Sequence, residues 1–150
     1  MNNALPFEGN KTEVYTDGLS MLQSLMKAIS KAKHHIHLEF YIFEDDPVGR
    51  LLRDLLIDKA REGVEIRLLY DDVGCWKVPH LFYDEMRGAG IEARGFLKVR
   101  FPVFTSKVNY RNHRKIVVID GKVAFTGGMN IALRYMKGFQ WGIWRDTHIK

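Results

Sequence analysis

At 150 residues, 46% hydrophobic and 27% charged, the chain has room for one domain with a substantial core, and one domain rather than a disordered tail is expected. Lysine and arginine outnumber aspartate and glutamate by 23 to 18, a net charge of +5 that favours anionic partners without naming one. The lone cysteine, Cys75, excludes an intrachain disulfide and fits a reducing compartment, and no run approaches the ~20 apolar residues of a membrane helix.

Residues 12–16 read as a short strand. Leu22, Leu25, Met26 and Ile29 follow at i, i+3, i+4 and i+7, which predicts a helix with one apolar face, capped by Asp17 or Ser20. Residues 35–43 (HIHLEFYIF) alternate as a strand, with Ile36, Leu38, Phe40 and Ile42 on one face and His37, Glu39 and Tyr41 on the other. Asp46-Pro47 supplies an N-cap and first helical residue. Val48, Leu51, Leu52 and Leu55 then keep helical spacing until Gly63.

Residues 64–70 predict the next strand, 80–87 a short helix and 91–96 another strand. This β-α-β-α-β order implies an α/β fold, a mixed but largely parallel sheet flanked by helices. From Ala93 to Lys115 there are seven basic residues, including Arg100 and Lys107, and no acidic one. Phe96, Phe101, Phe104 and Tyr110 are interleaved with them. Such a tract is either a solvated loop or a surface for phosphates of lipid or nucleic acid.

Two strands over 115–119 and 122–126 flank Asp120-Gly121, a two-residue hairpin signal. Gly127-Gly128 follow, then a helical turn over 130–136 and a strand over 143–150. The last strand stops without a turn. The chain is therefore expected to be a single domain over 1–150, a fragment truncated at its C-terminus, and soluble as it stands.

His113 and Lys115 lie two positions apart at a strand start, so their side chains project to one face while Arg114 points the other way. With Asp120, Gly127-Gly128 and Asn130 they make the pattern H-x-K-x4-D-x6-G-G-x-N. A neutral imidazole can attack phosphorus or move a proton near pH 7. The lysine holds charge on the non-bridging oxygens, the Asn130 amide can donate to the same oxygens, and Gly128 lets the backbone approach the ligand. For Asp120, an Asp-Gly turn is also explained by hairpin geometry alone.

A nucleophilic histidine needs its other ring nitrogen held by an acceptor, for which Asp120, Asp146 and Glu39 are the candidates. Asp146 could equally pair with Arg145, and Glu39 could be a hydrogen-bonded structural residue beside His37. His34, His35 and His37 lack the further ligands that a metal site requires, so no metal or other cofactor is expected. Asp71-Asp72 falls at a strand's C-terminal end, suited to a ligand or to capping the loop. Phe139, Trp141 and Trp144 are expected to pack in the core rather than meet acyl chains.

This pattern resembles the signature of the phospholipase D superfamily. The segments HHIHLEFYIF, GVEIRLLYDDVG, NYRNHRKIVVIDG, FTGGMNIALRY and WRDTH, in that order from residue 14 onward, are similar to the first catalytic half of bacterial cardiolipin synthases. The resemblance implies metal-independent phosphodiester transfer through a phosphohistidine on His113, with Lys115 and Asn130 binding phosphate. A phosphatidyl group would pass from one phosphatidylglycerol to another, releasing glycerol. It implies a membrane surface as partner and the cytoplasmic side of a bacterial inner membrane, reached through segments absent from this chain.

The family's site takes a second histidine from another copy of the motif, and the motif aspartate is expected to support a histidine across that two-half site. This chain carries one copy, so it implies a second half in the same natural chain or a homodimer partner, and little activity alone. The rival readings are a homodimeric nuclease or phosphodiesterase acting on nucleic acid, and a non-catalytic module that binds anionic ligands.

Overall fold

The structure, a computed structural model, describes residues 8–98, 110–138, 142 and 144–150. In chain order the elements are β1 (Val14–Tyr15), α1 (Gly18–Ile29), β2 (His35–Phe40), α2 (Pro47–Arg61), β3 (Glu65–Asp71), α3 (His80–Gly88), β4 (Glu92–Phe96), β5 (Ile116–Ile119), β6 (Val123–Gly127), α4 (Leu133–Lys137) and β7 (His148–Ile149).

The helices begin where short acceptors meet unsatisfied backbone N–H groups. Asp17 caps α1 by accepting from the Ser20 N–H at 2.9 Å. Asp46 caps α2 through Val48 and Gly49, both at 2.9 Å, with Pro47 in the first position where no N–H is needed. Met21, Leu22, Leu25 and Ile29 of α1, Leu52 and Leu56 of α2, and Phe82, Tyr83 and Met86 of α3 are buried. They meet Ile36, Leu38 and Phe40 of β2, Ile66, Leu68 and Tyr70 of β3, and Val117 and Ile119 of β5 in one core.

The sheet has seven strands in the order β1-β7-β6-β5-β2-β3-β4. It is mixed, as expected, but the parallel pairing is confined to β2 with β3 and β3 with β4. The pairs β2-β5, β5-β6, β6-β7 and β1-β7 are antiparallel. Two facts of the chain cause this. Among neighbouring strands, α2 carries the chain from β2 back to a parallel β3 and α3 from β3 to a parallel β4, whereas Asp120 (φ 52°) and Gly121 (φ 64°) take the left-handed conformations of a tight hairpin turn that reverses the chain.

Three expected strands are shorter in the fold, and the one expected over 12–16 is reduced to Val14–Tyr15. The one expected over 35–43 ends at Phe40, because the Ile42 N–H donates to the Asn130 side chain at 3.0 Å and Ile42 accepts from the Ile131 N–H at 3.1 Å. Phe43 instead forms an isolated parallel bridge with Ile131. Of the strand expected over 143–150, the described residues form a strand at His148–Ile149 alone.

The described helices bury the sheet face carrying Ile36, Leu38 and Phe40. The opposite face, with His37, Glu39, Arg67, Leu69, Arg94, Ile116 and Val118, lines an open groove. No helix among the described residues is long and apolar enough to cross a membrane.

Candidate active site

His113 and Lys115 share a strand parity with Val117 and Ile119, and that parity faces the helices. Val117 and Ile119 are buried, Lys115 is 9% exposed at the margin, and His113 lies beyond the core's edge, exposed. The His113 ring stacks on Tyr41, with centroids 3.9 Å apart and planes 18° from parallel. Lys115 Nζ lies 5.7 Å from the centre of the same Tyr41 ring and donates to the His113 carbonyl at 2.6 Å. Stacking covers a face of the imidazole and leaves its edge, where the N–H and the one nitrogen lone pair lie in the ring plane, uncovered by Tyr41. Burial pushes the Lys115 ammonium below its ordinary pKa, and the Asp146 carboxylate partly opposes that.

The segment leading to His113 is held from beneath by Asp71, which is fully buried at the end of β3. Its Oδ2 accepts from the Asn112 N–H at 3.0 Å, and its Oδ1 from the Val73 and Gly74 N–H groups at 2.9 Å, with the Arg111 guanidinium at 3.5 Å. Asp71 thus caps its own loop and fixes the residue before the histidine. Asn112 donates its side-chain amide to Glu39, and Arg114 reaches Glu39 at 3.8 Å. Glu39 therefore supports the strand carrying His113 through Asn112.

Asn130 is buried, with two of its side-chain hydrogen-bonding positions engaged. Its Oδ1 accepts from the Ile42 N–H at 3.0 Å, and its Nδ2 donates to the Tyr135 hydroxyl at 2.9 Å. The primary amide retains a second N–H. Gly128 has a local reason to be glycine, since a Cβ there would overlap both oxygens of the Asp146 carboxylate. The Gly128 N–H donates to the Thr147 carbonyl at 3.0 Å. A Cβ at Gly127 would come within 2.7 Å of His148 Nδ1. The two glycines thus admit Asp146 and His148 beside Lys115.

His148 is 1% exposed, and its Nδ1 has no hydrogen-bond partner among the described residues. Burial pushes its pKa down to about 4, against the pull of Asp146, and Lys115 depresses it further. His148, Tyr41 and Asn112 are neighbours of the motif that the spacing argument did not single out. The strand alternation had put Tyr41 beside Glu39, whereas nothing in the sequence marks its stacking on His113.

Asp120 is at the opposite end of β5, seven residues and roughly 20 Å of extended chain from His113. Its carboxylate accepts from the N–H groups of Lys33, His34 and His35 at 2.9, 2.8 and 3.0 Å. Those bonds, with that of His35 foremost, hold its pKa down at about 2. Within this chain Asp120 ties the β5-β6 turn to the start of β2, and it shares no contact with His113.

His35 and His37 lie ring to ring at 5.0 Å, and among the described residues no group of three or more His, Cys, Asp or Glu side chains could hold a metal ion. Trp144 packs edge-on against Tyr135 at 4.8 Å. Arg100, Phe101, Phe104 and Lys107 of the basic tract, with Phe139 and Trp141, lie outside the described residues.

Residues 25–139 match the family described as "Cardiolipin synthase, PLD-like domain". A cardiolipin synthase of Alkalihalophilus pseudofirmus is 48% identical over 141 residues, which is 93% of this chain and 28% of that protein. This chain therefore spans less than a third of that relative's length. Among solved structures, the phosphatidylserine synthase of Haemophilus influenzae aligns with a TM-score of 0.69 at 16% identity, over 92% of this chain and 33% of that one. Nuc from Salmonella typhimurium, a phospholipase D family member, aligns at 0.63 and 17% identity over 93% and 82%. At these identities the structural likeness bears on the fold alone.

Proposed function

The chain belongs to the cardiolipin synthase, PLD-like domain family, and from that premise we propose that it supplies the nucleophilic half of a phosphatidyltransferase site. The observation that carries this reading is the exposed His113, its ring stacked on Tyr41, with the Lys115 ammonium lying over the same Tyr41 ring. A nitrogen of His113 attacks the phosphorus of one phosphatidylglycerol. The phosphorus–oxygen bond to its headgroup glycerol breaks, and a proton donor from a second half of the site neutralises the leaving alkoxide.

The phosphatidyl group then rests on His113. The primary hydroxyl of a second phosphatidylglycerol attacks that phosphorus as its proton passes back to the acid–base residue. Cardiolipin leaves, glycerol has been released, and the imidazole is restored. Lys115 holds the non-bridging oxygens through both transition states, and its low exposure strengthens that interaction. The remaining amide N–H of Asn130 and the approach at Gly128 serve the same phosphate, while Asp146 keeps Lys115 charged. Glu39 acts at one remove, through Asn112.

The second half is another copy of the motif, in the same natural chain or in a twofold partner. The test joins this chain to a second H-x-K-x4-D half and supplies phosphatidylglycerol in detergent micelles with a chelator present. Cardiolipin and glycerol are the expected products, lost in His113→Ala. No lipid product, with single-stranded DNA cleaved by a dimer of the chain itself, would replace this reading with the nuclease.

A further inference from the structure

Beside the site, the loop between β3 and α3 carries an aromatic side chain that the fold does not use. Trp76 is 77% exposed, the most exposed large hydrophobic residue described, and Lys77 Nζ lies 5.9 Å from its ring centre. The loop beneath it is fixed. Asp71 holds the Val73 and Gly74 N–H groups, and Cys75 is buried with its Sγ accepting from the Phe43 N–H at 3.3 Å. The Trp76 N–H closes a turn onto the Val73 carbonyl at 3.3 Å.

The same loop touches the site. Gly74 abuts the Tyr41 ring that carries His113, and the Cys75 thiol points at the Tyr41 carbonyl at 3.6 Å. Trp76 is thus one residue from a side chain that contacts Tyr41. Two other exposed apolar side chains lie at this edge of the sheet. Leu81, 66% exposed, is in the first turn of α3, and Tyr110, 70% exposed, is two residues before Asn112, which Asp71 holds. Lys77, exposed beside Trp76, places positive charge there. A rigid loop presenting tryptophan beside lysine, at the edge that carries a phosphate-directed histidine, matches the headgroup layer of a bilayer, which is apolar beneath and anionic above.

We infer that the β3-α3 loop, with Trp76 at its tip, docks on an anionic phospholipid surface and holds the His113 site against the headgroup layer. This rests on the phosphatidyltransfer reading for its choice of partner. Trp76 enters the boundary between headgroups and acyl chains, Leu81 and Tyr110 flank it, and Lys77 meets lipid phosphates.

The test is flotation of the chain with vesicles of equal parts phosphatidylglycerol and phosphatidylcholine. Trp76→Ser lowers partition about tenfold with the circular dichroism spectrum unchanged, and Trp76→Phe keeps most of it. Leu81→Ser, at a second exposed position, lowers partition in the same direction. Lys77→Gln weakens binding about fivefold on these vesicles and not on pure phosphatidylcholine. Failure of the chain to float, or partition of Trp76→Ser and Leu81→Ser equal to wild type, overturns the inference. The two readings fail differently. Flotation that depends on Trp76 without His113-dependent product sinks only the transfer reaction, whereas product formed while flotation ignores Trp76 sinks only the docking loop.

Discussion

Asp71→Asn tests whether the segment bearing His113 is held by one buried carboxylate. In the wild type, Oδ2 accepts from the Asn112 N–H at 3.0 Å and Oδ1 from two loop N–H groups at 2.9 Å, all at a site closed to solvent. The amide keeps an acceptor for Val73 and Gly74 but turns an NH2 group toward the Asn112 N–H. That removes one charge-assisted bond, about 1.5 to 3 kcal/mol, and sets two donors face to face. The two remaining bonds lose their ionic character, so the total loss is about 3 kcal/mol. With a urea slope of about 2 kcal/mol per molar for a domain of this size, the unfolding midpoint falls by about 1.5 M. Chemical denaturation followed by circular dichroism measures the shift, and hydrogen exchange at the Asn112 amide reads the local effect. A midpoint within about 0.3 M of wild type, with Asn112 equally protected, would refute the argument.

Asp120 has a folded pKa of about 2, below its ordinary value of 3.8, so the unfolded state binds more protons between those values and stability rises with pH across that window. Asp120→Asn should flatten the acid limb of the urea midpoint between pH 4 and 2. His148 gives a slope of the same sign in a higher window. Its pKa falls from 6.5 to about 4 on folding, so the folded state carries fewer protons there and loses stability as pH drops from 6.5 to 4. In His148→Gln that segment of the pH profile should level, and in the wild type one histidine resonance should stay neutral down to pH 5. Gly128→Ala forces a methyl into the Asp146 carboxylate, so stability should fall by about 1 to 3 kcal/mol; a thermal melt matching wild type would mean that Asp146 moves aside freely.

The elements were largely legible because their signals are local. Asp17 and Asp46 cap the helices that the spacing predicts, and Asp120-Gly121 makes its turn. What the sequence concealed depends on contacts between distant residues. The β-α-β-α-β order suggests a largely parallel sheet, yet β5 enters between β2 and β6 and runs antiparallel to both, a choice no local pattern encodes. The same holds at the site. The strand parity of His113 with Lys115 was readable, but the stacking of Tyr41, 72 positions earlier in the chain, was not. Nor was the grip of Asp71 on Asn112, 41 positions apart.

The H-x-K-x4-D spacing is one line of sequence with two ends in space, and the length of β5 explains the division. Four paired residues, Ile116–Ile119, carry the chain across the sheet, so whatever stands before them emerges at the edge where β2 and β3 end, and whatever follows returns to where β2 begins. At the first end the odd positions pass from buried Val117 through Lys115 to exposed His113, giving a lysine of low exposure and an accessible imidazole that share the Tyr41 ring. At the second end the carboxylate of Asp120 gathers the N–H groups of Lys33, His34 and His35 just before β2 begins. It fixes β2 against the β5-β6 hairpin and so fixes the register of Glu39 with Ile116. Since Glu39 holds Asn112 and Tyr41 follows on the same chain, the aspartate sets the frame in which His113 meets Tyr41 without touching either.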